Sequence, residues 1–256
     1  MNTFLAFLKK ENLELLRTGR LLILLLVFVL FGIMNPAIAK ITPWMMETMA
    51  DSLKDSGITI TEVVIDAMTS WTQYYKNIPL ALIIFVLLCS SSFTAEYQKG
   101  TLIPVLTKGL SRWKIVIAKS TVLIFFWTAC YWLCFFITYG YNSYFWDNSI
   151  ALNLVFTAVC YWFFGIWVVA LIILFSTVSN ISTSVLIGTG ASVLIAYIIG
   201  LLPKINSYIP LKLTDSMSLL QGLTVPGDYL PSVIVSAVMI VICILTAIAV
   251  FNKRRI

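Results

Sequence analysis

The sequence predicts an all-α membrane protein with six transmembrane helices. Three observations carry that prediction: six separate apolar runs, a composition 60% hydrophobic and only 11% charged, and Lys and Arg gathered in alternate connections. A soluble domain carries about 25% charged residues. A bilayer accepts such runs, because about 20 apolar residues rising roughly 1.5 Å each cross a hydrocarbon core of about 30 Å. The chain from 1 to 256 reads as one membrane domain, with no length left over for a catalytic one.

Residues 1–20 precede the first span. Over 3–18, Leu5, Leu8, Leu15 and Leu16 fall on one helical face with Phe4 beside them, and Lys10, Glu14 and Arg17 on the other. That is the pattern of an N-terminal amphipathic helix lying in the interface plane; a frayed, solvated segment is the alternative. Gly19 marks a bend into span one, Leu21 to Ala39. Leu21 to Phe31 alone, at about −0.5 kcal/mol per residue near the membrane centre, favours insertion by roughly 5 kcal/mol. The run is too long for a signal peptide and no small-residue cleavage site follows. Asn35 and Pro36 predict a kink or an early stop.

The 40–77 connection is the longest. Short helices are expected over 44–55 and 60–75, separated by Gly57, forming a cap over an outer opening or a plain linker. Trp44, Trp71, Tyr74 and Tyr75 suit the aromatic belt at a membrane surface. Span two runs from Ile78 to Phe93, extending to Ala95 at most. Span three is Ile117 to Tyr139, and span four, Ile150 to Phe175, is long enough to tilt. Span five, Ser184 to Leu202, places Ser184, Gly188, Ser192, Ala196 and Gly200 every four residues on one face. Small-xxx-small ladders allow close helix approach in lipid, either within the chain or at a subunit contact that slides. Pro203, Pro210, Pro226 and Pro231 break the segment before span six, Ser232 to Phe251. This predicts a broken outer element or a re-entrant hairpin, tolerated at membrane depth only under protein or water.

Orientation follows from charge. Lys9, Lys10, Arg17, Arg20, then Lys99, Lys108, Arg112, Lys114, Lys119, then Lys253, Arg254 and Arg255 account for twelve of the seventeen basic residues. The positive-inside rule puts both termini in the cytoplasm. Eight of the eleven acidic residues fall on the opposite side. The net charge of +6 is therefore a topology signal and predicts no nucleic-acid partner. Cys89, Cys130, Cys134, Cys160 and Cys243 sit inside spans and read as small apolar residues.

Much chemistry is missing from the sequence. Histidine does not occur, which removes imidazole triads and imidazole zinc sites. No Walker A loop is present. The spans read as carrying no deep charge, which argues against an ion-coupled carrier or a charge-ringed channel. No catalytic, cofactor-binding or metal-binding residue is assigned, and the chain is not expected to be an enzyme. Aromatics crowd spans three and four: Phe125, Phe126, Trp127, Tyr131, Trp132, Phe135 and Phe136, then Tyr161, Trp162, Phe163, Phe164 and Trp167. They read as core or lipid-facing packing, or else as an uncharged wall for an apolar cargo.

The connection from Ala95 to Lys114 is too long for a tight turn and too apolar for a floppy linker. Leu102, Val105 and Leu106 fit one face of a short helix ended by Gly109, and Ser111 stands where it would cap the next helix. This segment resembles the permease subunits of ABC type-2 exporters, in which a Glu follows span two, then a Gly-Thr pair, a coupling helix and a Ser-Arg element. The matching residues are Glu96, Gly100, Thr101, Ser111 and Arg112. Where that family often has Pro before Ser-Arg, this chain has Gly109 and Leu110. The likeness also covers the surface helix, the six spans and the broken segment before span six.

The resemblance implies a cytoplasmic coupling helix between spans two and three, within a 96–116 coupling segment. It implies two permease copies, identical or different, in a bacterial cell membrane and in contact with lipids. It also implies two separate ABC ATPase subunits holding ATP and Mg, and export of a hydrophobic or amphipathic peptide, drug or lipid. Glu96 becomes an organiser of the coupling region, against the plainer reading of a carboxylate snorkelling at a helix end. Arg112, Lys114 and Lys119 read as lipid-headgroup anchors or as contacts to the ATPase. The alternative from a different class is a non-transporting scaffold or sensor that docks a soluble partner.

Overall fold

The computed structural model describes residues 3–54, 66–107, 109–202 and 205–254. Among them the regular elements are helices, with no strand. In chain order these are α1 (Thr3–Arg17), α2 (Arg20–Lys54), α3 (Ala67–Cys89), α4 (Ser91–Lys99), α5 (Ile103–Thr107), α6 (Arg112–Phe145), α7 (Leu154–Val178), α8 (Ser182–Gly200), α9 (Ser216–Leu220) and α10 (Leu230–Lys253). Six helical stretches, spread over α2, α3 with α4, α6, α7, α8 and α10, are long and apolar enough to cross a membrane. The all-helical, six-span expectation holds at that level.

Several boundaries move. Gly19 does turn the chain, with φ +71, but span one neither stops nor breaks at Pro36. α2 runs on through Pro36 and Pro43 to Lys54, so the helix expected at 44–55 is a continuation of span one. The physical reason lies in a neighbour. Proline has no N–H, so Pro36 leaves the carbonyl of Gly32 without its helical donor. Thr138 of α6 donates its hydroxyl to that carbonyl at 3.0 Å, the kind of repair that lets proline persist in membrane helices. Asn35 is buried and its side-chain oxygen accepts from Asn77 Nδ2 at 2.8 Å, tying α2 to α3. Gly32 permits this approach: a Cβ there would stand 3.0 Å from Ile137 Cβ.

Span two begins earlier than its apolar run. α3 starts at Ala67, capped by Asp66, whose carboxylate accepts from the Thr69 N–H at 3.0 Å. Its first turns bury Trp71, Tyr74 and Tyr75, which therefore do not belong to a surface belt. Trp71 Nε1 donates to Asn148 Oδ1 at 3.0 Å, and its ring packs on Tyr74 and Phe135. Trp44 is exposed, as a belt residue should be. The 55–65 part of the expected cap lies outside the described residues.

α7 is the centre of the bundle and the most enclosed of its spans. Trp127 of α6 lies flat against Gly165 of α7, where a Cβ would fall 2.1 Å from the indole, and Trp127 Nε1 donates to the carbonyl of Trp162 at 3.0 Å. Tyr131 donates to the carbonyl of Ala158 at 2.8 Å and stacks parallel to Tyr161. Trp127, Tyr131, Phe135, Tyr161, Phe164 and Trp167 are buried against one another, while Phe125 and Phe136 face outward. The aromatic wall is therefore packing on one side and lipid-facing surface on the other. The five cysteines are buried free thiols.

The segment between α8 and α10 is a chain of short helical turns at Asn206–Tyr208, Pro210–Thr214, α9 and Pro226–Tyr229. It folds back onto the bundle, burying Leu213, Leu219, Leu220 and Tyr229. The Leu152 N–H donates to the Leu220 carbonyl at 3.0 Å, so this end of the bundle also holds the α6–α7 connection. At the opposite end α1, the α4–α6 elbow, the α7–α8 turn and the end of α10 lie together.

Candidate functional site

At the end of the bundle that carries α1 and the close of α10, five charged side chains form one network. Lys119 of α6 lies at its centre and is 1% exposed. Its ammonium donates to Glu11 Oε2 at 2.6 Å and to the Ser92 carbonyl at 3.2 Å. Glu96 Oε2 stands 2.9 Å away as an ion pair, outside good hydrogen-bond alignment. Lys10 closes the ring from α1, contacting Glu11 at 3.1 Å, Glu14 at 2.9 Å and Glu96 Oε1. Glu11 and Glu96 are 3% and 2% exposed. Three carboxylates thus face two ammonium groups, and each helix of the corner, α1, α4 and α6, supplies at least one charge.

The local sequence explains how these groups reach one place. On α1, Phe4, Phe7, Leu8, Glu11 and Leu15 recur at helical spacing and turn toward the bundle. Leu5 and Leu16 point outward, which corrects the face drawn through Leu5, Leu8, Leu15 and Leu16. On α4, Phe93, Thr94 and Glu96 are buried, and the Lys119 ammonium also lies over the Phe93 ring, 5.1 Å from its centre. Isolated ions are very costly to bury, so such charges persist only when paired.

Two members on the surface helix show perturbed acidity. Lys10 is held well above its ordinary value: burial works against its charge, but Glu11 and the hydrogen bond to Glu96 outweigh it. Glu14 is held below its ordinary value: burial again opposes the charge, and the Lys10 hydrogen bond overcomes that cost. Oxygens of Glu11, Glu14 and Glu96 lie within 4.8 Å of one another. Lys10 contacts all three carboxylates, so an ammonium stands where a small cation would.

Glu96 is therefore no snorkelling carboxylate. Lys119 is neither a headgroup anchor nor exposed for a soluble partner; it is buried near the start of α6, at the end of the bundle and not deep in a span. Sequence reasoning missed Lys10 and Glu11 as members. The available signal was Glu11 itself, a carboxylate inside the apolar stripe of α1.

The rest of the elbow follows the expected order. Gly100 takes the left-handed conformation at φ 65 and closes α4, and the Thr101 N–H returns to the Glu96 carbonyl at 3.2 Å. Leu102 is buried, Val105 and Leu106 are half-buried, and Ile103 is exposed on α5. Lys108 lies outside the described residues. Gly109 turns the chain at φ +83. Ser111 holds the N-cap position of α6, but its side chain makes no capping bond. Arg112 reaches across to the end of α10, donating to the carbonyls of Phe251 and Asn252 at 3.3 Å and also to that of Arg254. Arg254 in turn donates to the Thr177 carbonyl at 2.6 Å and lies over the Tyr97 ring.

The α8 ladder is divided. Gly188 packs under Phe175 of α7, where a Cβ would fall 2.6 Å from the ring. Ala196 is buried, and Gly200 approaches Leu211. Ser192 donates to its own helix at the Gly188 carbonyl, and Ser184 is exposed. Intrachain packing thus takes the middle and end of the ladder.

No curated protein matches this chain. Residues 50–256 match a family described as DUF2705, protein of unknown function. That stretch includes Glu96, Lys119, Arg112 and the α8 ladder, whereas Lys10 and Glu11 precede it. By this match, which takes in α3 to α10, the chain belongs to the DUF2705 family.

Proposed function

We propose that this chain is the transmembrane permease subunit of an ATP-driven exporter, with ATP and Mg held by a separate ABC ATPase. The observation that carries the reading is the buried Glu96, fixed by Lys10 and Lys119 at the root of the α4–α5 elbow. A force applied at α5 reaches three helices through that root. Ile103 on α5 offers exposed apolar surface for a soluble partner. The segment's likeness to ABC type-2 permeases supplies the kind of partner, and the sequence carries no Walker A loop. The basic residues of α1, of the elbow and of the tail place this end in the cytoplasm by the positive-inside rule. Two permease copies and two ATPase copies complete the assembly in a bacterial cell membrane. Its cargo is a hydrophobic or amphipathic peptide, drug or lipid.

The test is purification from the native membrane, identification of a co-eluting ATPase, and ATPase assays across candidate cargos in proteoliposomes. Cargo-stimulated hydrolysis that falls in Glu96→Ala, with insertion intact, supports the proposal. Partner binding without any cargo-dependent stimulation favours a scaffold instead, and export without a nucleotide-hydrolysing companion sinks the reading.

A further inference from the structure

α4 touches a second polar junction, distinct from the buried network. Glu96 is bound into the network of α1 and α6, and the next two residues reach α10 and the α7–α8 turn instead. The Tyr97 ring packs on Phe251 of α10, with centroids 6.2 Å apart, and lies under the Arg254 guanidinium, 4.1 Å from the ring centre. Gln98 Nε2 donates to the Asn180 carbonyl at 3.3 Å.

Arg254 joins these pieces. Its Nη1 donates to the Thr177 carbonyl at 2.6 Å, and its Nη2 to Asn180 Oδ1. Thr177 lies in the last turn of α7, where helix carbonyls lack an intrahelical donor and a cation is favoured by the helix dipole. The Arg254 backbone is held in turn by Arg112, which donates to its carbonyl. From one residue beyond α10, a single side chain thus engages α4, the end of α7 and the α7–α8 turn. α4 also packs on α7 and α8 directly. Such packing is non-directional, whereas the planar guanidinium fixes a register through its two forked donors.

We propose that Arg254 is a positioning residue that makes the α4–α5 elbow and the α7–α8 turn move together. A displacement of α4 then divides at consecutive residues: through Glu96 to α1 and α6, and through Tyr97 and Arg254 to α7 and α8. The link itself is a property of this chain. Its use in driving export rests on the function proposed above.

The test is a double-mutant cycle on the full chain in detergent, read as amide exchange over residues 175–186, with Gln98→Ala present throughout to remove the direct bond from α4. Tyr97→Leu takes away the ring under the guanidinium and should raise exchange there about threefold. In an Arg254→Gln background, where exchange is already raised, the same change should add nothing further. Arg254→Lys keeps the charge without the fork and should restore the response to Tyr97→Leu only in part. Asn180→Ala removes the partner on the turn and should blunt that response even if the Arg254 variants fold poorly. Multiplicative effects of Tyr97→Leu and Arg254→Gln overturn the proposal, as does unchanged exchange over residues 175–186 in a folded Arg254→Gln chain. In the complex with the ATPase, Arg254→Gln should lower kcat of cargo-stimulated hydrolysis about fivefold with the KM for ATP unaltered. Full stimulation in that complex overturns the use of the link in export. Failure of the unaltered chain to bring down any ATPase sinks the export reading instead, and the exchange cycle still decides the link.

Discussion

Lys119 and Glu11 are 108 residues apart in the chain and 2.6 Å apart in space. This pair joins the surface helix to the body of the bundle. Because a left-handed turn at Gly19 separates α1 from α2, little besides side-chain contacts fixes where α1 lies. Removing one charge of the network leaves the others buried and unbalanced, which typically costs about 3–5 kcal/mol. Lys119→Met should therefore lower the melting temperature in detergent markedly. The triple change Lys119→Met, Glu11→Gln, Glu96→Gln removes most of the imbalance and should melt above the single variant. Equal or lower melting of the triple variant would show that packing, not charge balance, sets the stability of this corner.

The network should also respond to pH in opposite senses at its two surface members. Glu14 has a lowered folded value, so its contribution is complete above the ordinary carboxylate range and is lost as pH falls through and below it. Lys10 has a raised folded value, so its contribution is complete below the ordinary lysine value of 10.5 and is lost as pH climbs well beyond it. Docking of α1, measured by amide exchange over residues 4–17, should be flat from mildly acidic to mildly alkaline pH and loosen at both extremes. Lys10→Met should abolish the alkaline limb.

The proline repair on α2 invites a double-mutant cycle. Thr138→Val takes the hydroxyl from the Gly32 carbonyl and should cost about 1–3 kcal/mol for an unsatisfied buried acceptor. In a Pro36→Ala background the helix regains its own N–H donor to Gly32, and the same change should cost distinctly less. Additive effects in thermal denaturation would mean that Thr138 acts through some other contact.

Two glycines should behave oppositely despite sharing the bundle. Gly165→Ala drives a methyl into the Trp127 indole, which its hydrogen bond to Trp162 holds in place. The loss should exceed the roughly 1–3 kcal/mol of ordinary overpacking, and Trp127→Phe should restore part of it. Gly140→Ala meets nothing within 4 Å and should be neutral or stabilising by up to about 1 kcal/mol through helix propensity. Thermal melts of the three variants, side by side, decide this.

Arg112 holds the last carbonyls of α10, where a cation also opposes the helix dipole. Arg112→Ala should raise amide exchange over residues 249–254 severalfold and leave the α7 core unchanged. Exchange that rises throughout α6 instead would point to a failure in starting that helix.

How much could be read beforehand differs from element to element. α8 and α10 match their apolar runs within two residues at either end, because composition there alternates sharply between apolar span and polar connection. α3 starts eleven residues before the apolar run that marks span two, since Ala67 to Asn77 is too polar to look like a span. It spans by burying Ser70, Trp71, Tyr74 and Tyr75 against α6 and α7 rather than by facing lipid. Pro36 reads as a kink or an early stop because a local rule carries no knowledge of Thr138, which lies on another helix. Gly100 and Gly109, by contrast, announced their turns through the one residue type that adopts positive φ without cost.

From sequence alone came the number of apolar helices, the clustering of basic residues in alternate connections and the short helix after Gly100. These depend on local composition and period, which a single segment displays in full. Tertiary structure alone decided that Lys119 is buried, that Glu11 and Lys10 are its companions, which aromatics of α6 and α7 pack inward and which face out, and that Arg112 grips the end of α10. Each of those facts depends on which distant residue supplies the missing charge, donor or surface, and only the folded arrangement of helices brings such partners within reach.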